Sequence, residues 1–172
     1  LIRPEDMKRK YLNEIHCNEI VLLAYYIADV NIESVYHDIM KPDKYLQYDG
    51  ICLTDTFQLN ENGDNDIFSQ LFPENSDRVL KQKKSPVRVI IGNPPYVVVP
   101  KTYIYSSYYS TSSCRELYAF FFEKSVRSLA CMGGIVTFIT ASLYIKGIKF
   151  LPLRCFLENN TNLVDLKLLG DT

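Results

Sequence analysis

The sequence predicts an α/β fold, a mostly parallel sheet with helices on both faces. Three observations carry this expectation. Short β-branched runs alternate with stretches of helical period, turn residues separate them, and polar residues gather where the strands end. The 172 residues suffice for one domain with a core of its own and fall short of two comfortable ones. With 47% hydrophobic and 23% charged residues, the composition is that of an ordinary folded globule.

Taken in order, residues 12–19 read as a short strand ending at Glu19. From Ile20 to about Asp38 the period is helical. Ile20, Leu23, Ala24, Ile27 and Val30 lie near one face, with Asp29 and Glu33 off it. Lys41-Pro42-Asp43 stops this helix. The run Ile51-Cys52-Leu53 is a second strand, reaching Thr54-Asp55-Thr56, and residues 58–77 read as a polar surface excursion. Val87 to Ile91 is the best strand in the chain, stopped abruptly by Gly92-Asn93-Pro94-Pro95. Residues 97–113 are Tyr/Ser-rich without a period. Ser113 and Glu116 fit a capping box. The helix it opens has Phe122, Val126, Leu129 and Ala130 on one face and ends at Gly133-Gly134. Ile135 to Thr140 is a buried strand. Leu151 to Asn159 is a helix with Pro152 in its first turn, and Leu163 to Leu169 is a last strand.

Nineteen basic and 20 acidic side chains give a net charge of −1 and a pI near 6.2. That balance excludes a grip on nucleic acid through bulk charge alone, so any such contact needs a local site or a partner domain. Lys81, Lys83, Lys84 and Arg88 have two readings, phosphate contacts or a solvated charged face. The five cysteines form no C-x-x-C pair, and His16 and His37 are not spaced as zinc ligands. Reduced thiols and no metal site are expected. The longest apolar run, Ile20 to Ala28, is nine residues. A membrane span needs roughly 20, so a soluble, cytoplasmic protein with no membrane partner is expected.

In parallel α/β sheets, ligands bind at the carboxyl ends of the strands. Three ends carry notable polar groups: Glu19, Asp55, and Asn93-Pro94-Pro95-Tyr96. Glu19 reads either as a ligand to ribose hydroxyls or as a solvated helix N-terminus. Asp55 reads either as a ligand or as a turn residue. The prolines of the third end fix two φ angles and remove two donors. They hold the Pro94 carbonyl beside the Asn93 side chain as two acceptors in a fork. An amine on an aromatic ring offers two hydrogens to such a fork. Accepting both localises a lone pair otherwise delocalised into the ring. Tyr96 adds a flat face for stacking, worth about 1–3 kcal/mol.

Val89-Ile90-Ile91-Gly92-Asn93-Pro94-Pro95-Tyr96 resembles the catalytic motif of S-adenosylmethionine-dependent adenine-N6 DNA methyltransferases. Residues 18–28, followed by Asn31-Ile32-Glu33, resemble the methylase region of the single-chain type ISP restriction–modification enzymes. Leu117 to Leu129 and Gly133 to Thr140 are similar to later motifs shared with the Eco57I-like group. The likeness spans residues 1–96 and 115–170.

The resemblance implies a Rossmann-like methyltransferase core, with residues 1–172 a partial catalytic domain and 97–113 a variable loop. Glu19 would hold the ribose hydroxyls of S-adenosylmethionine, the methyl donor, and Asp55 its adenine amino group; Asn93 would also border the donor. Asn93 and the Pro94 carbonyl would bind the amine of a target adenine flipped out of double-stranded DNA, with Pro95 fixing the turn and Tyr96 stacking on the base. The methyl group would pass directly to nitrogen, with no metal. A donor motif of the form Asp-Pro-x-x-Gly-x-Gly is absent, so the core reads as incomplete at its N-terminus. The target-recognition domain, and any helicase or nuclease, would lie elsewhere in a parent chain. For residues 97–113, a DNA-facing loop with stacking tyrosines and a poorly ordered crossover both stand. The alternatives for the whole are a truncated, inactive methylase remnant and a protein-glutamine N5-methyltransferase.

Overall fold

The computed structural model describes residues 2–57, 73–163 and 165–168. Two compact units divide the chain, Leu1–Ser85 and Pro86–Thr172. Each contains a parallel strand pair with helices, so the chain is of the α/β class.

The first unit opens with a helix that the sequence reading left unassigned, α1 (Pro4–Asn13). Proline stands in its first turn with Glu5 and Asp6, both favoured at a helix N-terminus. The expected strand over 12–19 is correspondingly shorter, β1 (Cys17–Glu19). It pairs in parallel with β2 (Ile51–Leu53), Glu19 lying opposite Leu53. Between them runs α2 (Leu22–Met40), stopped at Lys41 in the left-handed region, φ 43°.

The orientation of α2 departs from expectation. Leu23 is 69% exposed and Val30 62%, and Ile20 and Ile27 are exposed as well. The face turned inward carries Tyr25, Ala28, Ile32, Tyr36 and Met40. The reason is the partner: Tyr36 stacks on Tyr11 of α1, ring centroids 3.7 Å apart and 9° from parallel. Tyr48 and Ile51 complete this core. Their polar ends are paired: the Tyr11 hydroxyl donates to the Leu46 carbonyl at 2.9 Å, and that of Tyr48 to the Ile15 carbonyl at 3.0 Å.

Residues 58–72 of the expected surface excursion lie outside the described residues; the rest, 73–77, opens α3 (Pro73–Lys83). This helix ties the strands through side chains. Asn75, 6% exposed, accepts the Leu53 N–H at 2.8 Å and returns its own N–H to the Leu53 carbonyl at 3.0 Å, as a further strand would. Gln82 donates to the carbonyls of Cys17 and Gly50.

The second unit pairs β3 (Val87–Gly92) in parallel with β4 (Ala130–Phe138). Helix α4 (Leu117–Lys124) starts after Glu116, not at Ser113, which lies in the 3-10 segment Ser110–Cys114. The Glu116 carboxylate instead accepts from Lys149 at 2.7 Å, so no capping box forms. Nor do Gly133-Gly134 end a helix. A π turn, Ser125–Leu129, does so, Ala130 is already strand, and the glycines sit in an irregular stretch of β4 where the register shifts. Gly133 adopts φ +74°, and a Cβ on Gly134 would crowd the carbonyls of Cys131 and Arg88.

Short α5 (Leu143–Lys146) and then α6 (Leu151–Asn160), with Pro152 in its first turn, follow. Tyr118 and Ala119 of α4 pack with Cys114, Phe150 and Leu153. Of the expected strand at 163–169, residues 163 and 165–168 are described and form no strand; Val164 and Leu169 lie outside the described residues.

Asn75→Ala leaves a buried N–H and carbonyl of Leu53 unpaired and should cost about 3 kcal/mol, read as a lower urea midpoint with unchanged slope.

Candidate active site

Two groups of expected site residues are built separately. In the first unit, Glu19 and Asp55 stand at the carboxyl ends of neighbouring parallel strands, and the Thr54 N–H continues the pairing to the Glu19 carbonyl at 2.9 Å. Glu19 Oε1 accepts the N–H groups of Ile20 and Val21, both at 2.8 Å. These donors precede α2, where a carboxylate is favoured. One oxygen is thus fixed, and Oε2 has no hydrogen-bond partner among the described residues. Asp55 Oδ1 accepts the Phe57 N–H at 3.0 Å and closes an Asx turn. Both carboxylates therefore have local structural duties and fixed positions.

In the second unit, the arc from Asn93 to Tyr96 leaves the end of β3. Pro94 is buried, while Asn93, Pro95 and Tyr96 are exposed. The arc is closed onto the strand next door at Ile139. The Ile139 N–H donates to the Gly92 carbonyl at 3.0 Å. The Tyr96 hydroxyl lies 2.9 Å from the Ile139 carbonyl oxygen and 2.7 Å from Asn93 Oδ1. Behind Tyr96, Val97 to Val99 bridge Glu116 and its neighbours in antiparallel fashion, with N–H to carbonyl bonds from Leu117 to Val97 and from Val99 to Arg115. The Tyr96 ring, 51% exposed, rests edge-on against Tyr118, centroids 6.2 Å apart. The Pro94 carbonyl accepts no hydrogen bond from a described residue. The arrangement is a rigid turn with an unengaged carbonyl, an amide and an exposed aromatic face.

Sequence reasoning missed the group that orders the following loop. Glu123, fully buried, accepts the backbone N–H groups of Ser110 and Thr111, the Ser110 hydroxyl at 3.0 Å, and Arg127 at 2.7 Å. Burial works to raise its pKa, but these donors prevail and hold it below the ordinary value of 4.5. Residues 97–113 are consequently folded against the unit. Tyr105 and Tyr109 are buried and offer no stacking face, whereas Tyr108 is 58% exposed. A lone Glu inside an aromatic helix was the only trace of this in the sequence. Lys81, Lys83, Lys84 and Arg88 are all exposed and pair with no described carboxylate.

One parallel β–α unit thus ends in an anchored acidic pair, and another ends in the Asn-Pro-Pro-Tyr arc. The chain belongs to the Eco57I restriction-modification methylase family, whose model matches residues 8–171. No curated protein sequence matches it. Among solved structures, it is similar to a nuclease-deletion mutant of the Type ISP restriction-modification enzyme LlaGI in complex with a DNA substrate mimic. That likeness has a TM-score of 0.76 and 29% identity, over 91% of this chain and 14% of the other. It is similar to DrdV in a DNA complex, with TM-score 0.76 and 30% identity over 92% and 17%. The ATP-dependent Type ISP enzyme LlaBIII bound to DNA gives 0.75 and 32% over 91% and 12%. The chain therefore spans 12% to 17% of the length of these proteins.

Because the folded pKa of Glu123 is lowered, its stabilisation is present above 4.5 and is lost as pH falls through the folded value. The hydrogen-exchange protection factors of Ser110 and Thr111, taken against the intrinsic rate at each pH, should fall over that acid range. Glu123→Gln should abolish this pH dependence and cost about 2 kcal/mol at neutral pH.

Proposed function

We propose that the chain forms part of the catalytic domain of a restriction–modification methyltransferase that methylates N6 of an adenine flipped out of double-stranded DNA, with S-adenosylmethionine as methyl donor. The observation that carries this reading is the closed Asn93–Tyr96 arc, with an unengaged Pro94 carbonyl, an Asn amide and an exposed ring on one turn. Family membership and neighbours solved with DNA support DNA as the substrate.

Asn93 and the Pro94 carbonyl accept the two hydrogens of the exocyclic amine. Withdrawing both from the plane of the ring localises the nitrogen lone pair for attack, and preorganised acceptors require little rearrangement as positive charge develops there. Pro95 keeps the turn from relaxing, and Tyr96 stacks on the extruded base, offsetting part of the cost of unstacking. The fit of a donor rests on Glu19: one oxygen is fixed by two N–H groups, and the other is open to ribose hydroxyls. Asp55 takes the donor's adenine amino group. When bound, the donor supplies an activated methyl on sulfonium. Target recognition, and any motor or nuclease activity, belong to other parts of a longer protein.

Asn93→Ala should abolish methyl transfer to DNA from labelled donor, while leaving the thermal midpoint within about 2 °C, because Asn93 is exposed and its one described partner is Tyr96. Glu19→Gln, which keeps an acceptor for Ile20 and Val21, should weaken donor binding about tenfold by calorimetry. Transfer that persists in Asn93→Ala, or donor affinity indifferent to Glu19, contradicts the reading.

A further inference from the structure

The Tyr96 hydroxyl faces two oxygens, the Ile139 carbonyl at 2.9 Å and Asn93 Oδ1 at 2.7 Å. A hydroxyl carries one hydrogen and two lone pairs. Two acceptors would share that hydrogen, and the unserved oxygen would repel its neighbour at a distance shorter than an ordinary contact. The Ile139 carbonyl belongs to the backbone and cannot become a donor. The Asn93 side chain can. A half-turn about its last torsion exchanges oxygen and nitrogen with no other atom moved. Nδ2 then donates to the tyrosine oxygen, the tyrosine hydrogen goes to Ile139, and each bond has its own hydrogen.

We infer that the Tyr96 hydroxyl is the positioning group that sets which end of the Asn93 amide faces the substrate. With its hydrogen committed to Ile139, it can only accept from Asn93. The amide nitrogen is drawn to Tyr96, and Oδ1 is left on the side away from it as the acceptor. The opposite orientation presents an N–H pair to an amine that also brings hydrogens, a donor–donor clash. The chain of partners therefore starts at a backbone carbonyl fixed by β4 and ends at the acceptor of the fork. Tyr96 thus has two separable duties: its ring stacks, and its hydroxyl orients. The catalytic half of this inference rests on the proposed methyltransferase function, whereas the amide orientation does not.

Selective 15N labelling of asparagine in the chain makes the orientation observable. The Asn93 side-chain signal is identified by its loss in Asn93→Ala. One of its two Nδ2 hydrogens should exchange with solvent at least tenfold more slowly than in an exposed asparagine, and Tyr96→Phe should remove that protection. Fast exchange of both hydrogens in the unmodified chain overturns the inference, and needs neither the variant nor any activity. In a transfer assay, Tyr96→Phe should lower kcat about tenfold, the scale of a lost orienting partner. KM for DNA and the fluorescence rise of a flipped 2-aminopurine should not change, because the ring is retained. A change in KM with kcat intact would assign the hydroxyl to base binding and overturn the positioning role. Protection at Asn93 without any methyl transfer by the unmodified protein would instead count against the proposed function alone.

Discussion

One residue just past the end of β4, Ile139, holds the Asn93–Tyr96 arc in place. The amide of Ile139 is bonded to Gly92 at the end of β3, and its carbonyl meets the Tyr96 hydroxyl three residues past Asn93. The chain between Gly92 and Tyr96 is therefore closed at both ends onto a neighbouring strand. Inside that closure stand two prolines whose φ angles are fixed by covalent rings. Such a turn has few soft torsions left, which is what a pair of acceptors needs if it is to meet a reacting amine without reorganising. The antiparallel bridge behind Val97 and the buried Glu123 extend the same constraint into the loop that follows.

The first unit solves a different problem with the same economy of polar groups. Its core is built on tyrosines, and each buried ring brings a hydroxyl that must be paired. Tyr11 and Tyr48 use theirs on the carbonyls of Leu46 and Ile15, segments that have no ladder of their own. Asn75 does for the outer side of β2 what a third strand would do. A pair of three-residue strands is thus held firmly enough for Glu19 and Asp55 to occupy defined positions at its end.

What was legible in the sequence, and what was not, follows from the range of the forces involved. Asn93-Pro94-Pro95-Tyr96 could be read because proline geometry is local. The strands β1 to β4 could be read from β-branched runs and turn residues, whereas the run from Leu163 misled, its described residues forming no strand. The buried face of α2 could not: the helix has apolar residues nearly all round, and the stacking of Tyr36 on Tyr11 decided the matter. Ser113 and Glu116 had the spacing of a capping box, yet Lys149, distant in sequence, claimed the carboxylate. Gly133-Gly134 resembled a helix stop, but the strand had already begun, and the glycines served its irregularity. The Tyr/Ser-rich stretch gave no sign of its order, because the ordering group, Glu123, comes from the following helix. In the site itself, residue types were legible, while the closure through Ile139 was not.

The most direct test of the central claim is the chemical identity of the product. Genomic DNA offers every short target sequence. It should be incubated with the protein and methyl-labelled S-adenosylmethionine, digested, and its nucleosides analysed by mass spectrometry. An acceptor fork for an exocyclic amine on a stacked purine predicts label in N6-methyladenine. Label in a methylated cytosine, or on protein glutamine and not on DNA, would contradict it.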